Sequence, residues 1–397
     1  MATKKIVIIT QSHLCRNPRV LKEALLLAKH GYQIEIVSTF FNDALLAEDL
    51  ALIKNSSIKL TPVVDIRTSS TKNLWLKIQR KLSVLLIEKI KFETAYALGY
   101  GINNYWQYLK NHPADLFICH QELATYIGVK LLNKGKNIAF DFEDWYAKDL
   151  LPSAQKKRPL KILEKTERKA LKAGNACWTT SQSLANELAN YYNCQIPAVI
   201  FNVFPQPNIQ KEEKTTQEFQ LFWFSQTIGA GRGLEELIIG LKKTDRKFSL
   251  HLLGNVNKNY QNHLIKLAEN QFEVHFYPII GVDELPAFIA KFDLGLALEL
   301  SHPESRNLTI TNKFFQYLQS GLPILASDTK GQQEIMLQHQ IGASIKITDP
   351  KWHEQLLFIM DYPMHYHQLK QNVASAAAQY NWEVEQQKLL AIINRII

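Results

Sequence analysis

Short apolar runs alternate with amphipathic stretches along this chain, the rhythm breaks once, and then it resumes. That alternation constrains the fold more than any single motif. Ile6–Ile9, Ile34–Val37, Leu116–Cys119, Ile138–Phe140, Cys177–Thr179 and Val199–Phe201 read as strands, with helical patterns such as Pro18–Lys29 and Ala185–Tyr192 between them. Strands that alternate with helices imply parallel βαβ units and a doubly wound α/β sheet. The segment Asn202–Phe219, "NVFPQPNIQKEEKTTQEF", interrupts the pattern with prolines and a charge run, as a linker does. Beyond it, Leu221–Phe224, Leu250–Leu253, Val274–Tyr277, Leu294–Leu298 and Ile324–Ala326 read as strands. Gly233–Lys242, Tyr260–Asn270, Leu285–Ala290 and Lys313–Ser320 read as helices.

A chain of 397 residues exceeds one ordinary core, so two domains are expected. The pattern divides it into an N-terminal Rossmann-like domain over 1–203, a linker over 204–218, a C-terminal Rossmann-like domain over 219–378 and a last helix over 379–397. Ligands of such sheets bind at the carboxyl ends of the strands, which places them in a cleft between the halves.

No run approaches a membrane span, and "MATKKIVIIT" reads as a first strand rather than a signal peptide. The four cysteines show no CxxC or His-rich spacing, which favours a reducing cytoplasm and gives no support for zinc. The 46 Lys and Arg against 37 Asp and Glu leave a net charge of +9, suited to polyanionic partners. No basic arm, zinc finger or RNA-binding aromatic motif accompanies that charge, so a nucleic-acid partner is not expected. The stretch Thr71–Phe92, "TKNLWLKIQRKLSVLLIEKIKF", combines apolar residues at helical spacing with five or more cations. It suits peripheral contact with an anionic membrane, or equally a core helix with a solvated face.

Two segments of the second half look built for phosphate. In "NLTITNKFFQYLQSGLPILASD" (Asn307–Asp328), a helix opens at Thr311–Asn312–Lys313 and Gly321 with Pro323 stops it. Its orphan amides and about half a positive charge suit a diphosphate, and Lys313 could add a full charge. In "FWFSQTIGAGRGLEELI" (Phe222–Ile238), a strand leads into Gly229, Gly231 and Gly233, with Arg232 at the next helix mouth. Glycines admit close backbone approach and arginine clamps phosphate bidentately. The spacing is not G-x-G-x-x-G, so a dinucleotide cofactor is not supported.

In the first half, polar groups leave strand ends: His13, Arg16, Asn17 and Arg19 around the first helix start, then His120, then Asp141, Glu143 and Asp144. His120 could equally be a satisfied hydrogen-bonder, and Glu143 or Asp144 a helix cap.

These pieces, in this order, resemble the GT-B glycosyltransferases of family 4, retaining enzymes that use nucleotide-sugar donors. "SHLCRNPRVLKEALLLAKHGYQIEIVS" is similar to their opening βαβ unit and "GRGLEELI" to their phosphate loop. "TNKFFQYLQSGLPILASD" is similar to the stretch carrying their ribose- and phosphate-binding helix, and "YNWEVEQQKLLAII" to the helix that crosses back onto the first domain. The resemblance implies a GT-B fold, two Rossmann-like domains facing across a cleft. It also implies sugar transfer to a saccharide or lipid-linked acceptor, as in polysaccharide or glycoconjugate synthesis. Catalytic roles then fall to His120, Arg232 and Lys313. Donor binding falls to Gly229, Gly231, Thr311, Asn312, Gln316 and Glu304, and acceptor-side contacts to His13, Arg16, Glu143 and Asp144. No D-x-D motif stands in a suitable loop, so no metal or other cofactor is expected. The location implied is cytoplasmic, or peripheral at the inner face of the plasma membrane.

The chain departs from the family where two glutamates eight positions apart are common: Leu308 and Gln316 stand there, with Glu299 or Glu304 available nearby. Gln226 replaces an arginine that many relatives also lack. Two readings on the same fold stay open beside transfer: a catalytically silent partner of another transferase, and a nucleotide-sugar 2-epimerase.

Overall fold

Seven parallel strands build the first sheet: β1 (Lys5–Ile9), β2 (Gln33–Phe40), β3 (Lys59–Asp65), β4 (Leu116–His120), β5 (Ile138–Phe142), β6 (Ala176–Thr179) and β7 (Ala198–Val199). Their order is β3-β2-β1-β4-β5-β6-β7. In this computed structural model the structure describes residues 3–209 and 218–397. Most of the expected linker, 210–217, therefore lies outside the described residues.

The central strands are apolar on both faces because helices cover both. Ile6, Val7, Ile8 and Ile9 are fully buried, as are all five residues of β4. Sequence periodicity misses β3, whose Pro62 and mixed polarity hide it; an edge strand tolerates both.

The second sheet has six parallel strands: β8 (Phe219–Thr227), β9 (Phe248–Asn255), β10 (Glu273–Tyr277), β11 (Leu294–Ala297), β12 (Ile324–Ser327) and β13 (Gly342–Ile345). Their order is β10-β9-β8-β11-β12-β13. Alternate residues feed two separate apolar layers. Leu221, Trp223, Leu250, Leu252, Leu294, Leu296 and Leu325 pack on one face. Phe222, Leu253, Ala297, Ile324 and Ala326 pack on the other, against Phe314, Phe315 and Tyr317 of the helix Asn312–Gln319. Gly295 is what lets that helix lie so close, since a Cβ there would sit 2.3 Å from the Tyr317 ring.

The chain divides into two compact units, one of 1–200 with 386–397 and one of 201–385. The last helix, Trp382–Ile396, thus begins in the second unit and ends in the first. In the second unit the backbone N–H of Trp382 donates to the Phe204 carbonyl. In the first, Leu389 and Ile393 are fully buried and Tyr32 donates to Asn394 at 2.7 Å.

One buried acid of the first unit makes stability depend on pH. Glu167, in the helix Leu160–Ala173, accepts from the Ala147 N–H at 3.1 Å and from the Tyr192 hydroxyl at 2.5 Å. Burial pushes its carboxyl up to about 7, from 4.5 when exposed. The folded chain therefore keeps a proton that the unfolded chain has lost between those values. The stabilisation is complete below pH 4.5 and disappears as pH rises through about 7. Glu167→Gln, which mimics the protonated acid, should raise stability at pH 8 by about 1–3 kcal/mol and by much less at pH 5. Melting curves at both pH values check this, and an equal gap at both refutes it.

Candidate functional site

In each sheet the strand order reverses once, and the loops leaving the two strands at that point frame a crevice. In the second sheet the reversal lies between β8 and β11. Strand β8 leads into Ile228–Gly233 and the helix Leu234–Leu241, while β11 leads towards the helix Asn312–Gln319.

At the first of these loops Gly231 and Gly233 take φ of +76° and +77°, and a Cβ at either would meet nothing within 4 Å. The backbone is bare and faces open space, which is what close approach by a ligand requires. Arg232 stands between them, exposed, and its guanidinium has no partner among the described residues.

At the second, Thr311 is the N-cap yet makes no capping hydrogen bond, and its Oγ1 is buried without a partner. Five other helix starts, at Asn17, Asn42, Ser70, Ser181 and Asn257, are capped by their side chains. A capping residue that does not cap leaves the Asn312 and Lys313 amides available, while the Phe314 N–H returns to the Thr311 carbonyl at 3.1 Å. The Asn312 side chain accepts from Asn202 at 2.9 Å, and half-buried Gln316 has no side-chain partner among the described residues. The helix ends as expected, with Gly321 at φ +81° and the Leu322 N–H returning to the Tyr317 carbonyl.

Lys313 is not at the open mouth. Its ammonium is buried, 2.8 Å from Glu299 and 5.1 Å from the centroid of the Trp223 ring on β8. Glu299 follows β11, as Lys313 does, so the ion pair closes within the β11 side of the reversal, and the Trp223 ring on β8 is the contact across it. The Glu299 backbone N–H also donates to Ser327 Oγ at 2.9 Å. Lys313 is therefore neutralised within the unit. Glu304 opens a short helix and is exposed, whereas Leu308 at its end is a core residue. Gln226 is exposed near the end of β8.

In the first sheet the reversal lies between β1 and β4, and a buried polar cluster fills it. His120, the last residue of β4, donates from Nε2 to Glu23 at 3.0 Å and from Nδ1 to Glu143 at 3.2 Å. Asp141, at the end of β5, lies 3.4 Å from the same Nδ1 and accepts from Arg19 Nε at 2.5 Å. Arg19 also donates to the Ile200 carbonyl at 2.8 Å. Asn17, which caps the first helix through its Oδ1, uses its amide to donate to Glu143 at 3.0 Å.

Burial alone would lower the imidazole pKa of His120, but the Glu23 and Asp141 carboxylates outweigh it and push it up to about 10. Burial raises Glu23 despite that cation, whereas Arg19 and His120 overcome burial and hold Asp141 below the usual carboxylate range. His120 is thus an imidazolium with both nitrogens engaged, a fixed donor rather than a free base. Glu143 alone emerges from the cluster, with about a fifth of its side chain exposed.

Ligand atoms of Glu23, His120 and Asp141 lie within 4.8 Å of one another, a spacing a metal could use. Here Arg19 and the His120 imidazolium already neutralise those carboxylates, so the residues do not fit a cation.

The structure brings acceptor-side Glu143 together with His120, expected as catalytic, and sets exposed Arg16 beside the Asn17 that binds Glu143. His13 is a correction: it is fully buried, bonded to Asp49 at 2.6 Å and accepting from the Phe41 N–H at 3.2 Å, so it braces the loop and contacts no acceptor. Asp144 is half-buried and partnered. Sequence reasoning missed Glu23 and Asp49 and gave Arg19 no partner. The one available signal was the charged i,i+4 pair Arg19–Glu23 in a helix otherwise read as amphipathic.

No family model matches the chain, and no curated protein matches it by sequence. Solved structures match along the whole length. Sucrose-phosphate synthase from Thermosynechococcus elongatus aligns with a TM-score of 0.71 at 13% identity, covering 99% of both chains. A variant of S. aureus TarM in complex with fondaparinux, alpha-GlcNAc-glycerol and UDP aligns at 0.67 and 12%, covering 99% of this chain and 100% of that one. Anabaena HepE in complex with UDP and glucose aligns at 0.64 and 14%, with the same coverage. Identity this low shows shared architecture alone: the chain has the GT-B fold, two Rossmann-like α/β domains on parallel sheets.

Proposed function

We propose that this chain is a glycosyltransferase that moves a sugar from a nucleotide-sugar donor to a saccharide or lipid-linked acceptor, with retention at the anomeric carbon. The observation that carries this reading is the pairing of free Arg232 with an uncapped helix start at Asn312, on the two loops that leave the reversal between β8 and β11. Backbone N–H groups at a helix start and a guanidinium together make an anion seat. The UDP in the HepE and TarM structures supports a uridine diphosphate as that anion.

In the step envisaged, the bond from the anomeric carbon to the β-phosphate oxygen breaks while the acceptor oxygen bonds on the same face. The acceptor proton passes to the departing phosphate oxygen, giving a glycoside and the nucleoside diphosphate. Arg232 and the amides of Asn312 and Lys313 stabilise charge as it builds on that leaving group. Gln316 hydrogen-bonds a ribose hydroxyl. Glu143, held by His120 and Asn17, is the contact that the first unit would offer an acceptor hydroxyl. No divalent metal is required, because the protein supplies the positive charge itself.

The first test is ligand binding followed by turnover. UDP at a hundredfold excess over its Kd should stabilise the chain by about 2.7 kcal/mol. Transfer from the matching UDP-sugar should continue in excess chelator. Binding without transfer or hydrolysis would favour the silent-partner reading, which the burial of Leu308 where the family often has a carboxylate makes specific.

A further inference from the structure

The helix Thr71–Ile90 turns a mixed polar and apolar face inwards. Its buried residues are Asn73, Ser83 and Ile87, and Asn73 and Ser83 are held by hydrogen bonds to Thr68, Gln79 and Thr94. The opposite side carries Leu74, Trp75, Ile78, Leu82, Leu85 and Ile90, exposed by 38–65%. At 100° per residue they cover an arc of roughly 160° on a helix about 30 Å long. An apolar arc of this breadth on a surface helix marks an interaction site.

Lys72, Lys77, Lys81, Lys89 and Lys91 are exposed along the same helix, and none has an acidic partner among the described residues. Arg80 adds a further cation, 4.6 Å from the Tyr100 ring centroid. The only acid of the helix, Glu88, lies 3.9 Å from Lys157. That contact brings a second strip alongside, with Leu151, Lys156 and Lys157 all exposed. Glu93 fastens the strip by accepting from the Lys161 and Ile162 N–H groups at 3.3 and 3.0 Å.

We infer that this face lies on an anionic lipid bilayer, with the apolar arc among the acyl chains and the lysines at the headgroups. Lysine stems are long enough to reach outwards from an immersed helix, and tryptophan suits the interface. A protein groove takes a narrow stripe at i, i+3, i+4 and i+7, which this arc exceeds. A second copy of the chain would set two unpaired lysine clusters face to face. The inference stands apart from the sugar-transfer reading, since it uses none of that site's residues.

The test is flotation of the full chain with vesicles of phosphatidylcholine containing about 30 mol % phosphatidylglycerol, against phosphatidylcholine alone. Binding to the anionic vesicles should exceed binding to neutral ones by about tenfold or more and should weaken as salt is raised to about 0.5 M. Trp75→Ser combined with Leu82→Ser should lower it by about tenfold or more, with an unchanged melting temperature because both side chains are exposed. K77E with K81E and K89E should remove the preference for anionic lipid. The idea fails if the wild-type chain stays behind at low salt, or if the serine variant floats equally well. It also fails if the chain is a dimer in solution that the serine variant makes monomeric, because the face would then be a contact between copies.

Discussion

Replacing Arg232 by alanine lowers kcat/KM for sugar transfer by on the order of a hundredfold or more and leaves the melting temperature unchanged. Both halves of this expectation come from one observation. The guanidinium is exposed and makes no hydrogen bond, ion pair or ring contact among the described residues, so removing it breaks no such link in the fold. It stands between two bare glycines at a sheet reversal, where charge on a departing diphosphate needs a preorganised donor. Arg232→Lys should recover only part of the loss, since an ammonium cannot clamp two phosphate oxygens at once. Steady-state kinetics with the matched UDP-sugar decide the matter, and normal turnover by the alanine variant refutes the assignment of Arg232.

Replacing Asp141 by alanine costs the first unit about 3–5 kcal/mol, because it strands the charge of Arg19 in the interior. Arg19 is 2% exposed, and beyond Asp141 its partners are the Ile200 carbonyl and Glu23 at 3.8 Å. Its Nη2 already lacks a hydrogen bond, so the guanidinium cannot regroup around what remains. Denaturant unfolding measures the loss; a cost below about 1 kcal/mol means that the cluster is not the electrostatic core its geometry implies. Donor affinity should stay as it was in any variant that remains folded, because Asp141 belongs to the first unit and the residues proposed for the donor belong to the second.

Much of the architecture is encoded within short windows. The helix Pro18–Lys29 was legible to the residue, with Pro18 in its first turn, whereas the capping role of Asn17 shows only in the structure. Eleven strands announce themselves as apolar runs between turn signals, while β13, only "GASI", lacks the length and the branched side chains to do so. The helix starts at Gly233 and Thr311 are equally local, since a few neighbouring residues determine where each begins.

Partners, by contrast, are chosen across the fold. Glu23 and His120 are 97 positions apart and Arg19 and Asp141 are 122 apart, and no periodicity links them. The sequence offers Lys313 as a phosphate ligand; only the packing of its helix on β11 turns the ammonium inwards to Glu299. The same holds for Thr71–Ile90, whose pattern fits a core helix or a surface one. Amphipathic spacing states that a helix has two faces, whereas tertiary structure decides which of them meets the rest of the chain. By itself, then, the sequence determined where most strands and several helices run and offered two helix mouths as candidates for phosphate. The tertiary structure decided which charges are neutralised inside and which remain for a ligand, because neutralisation depends on distances that only the folded chain sets.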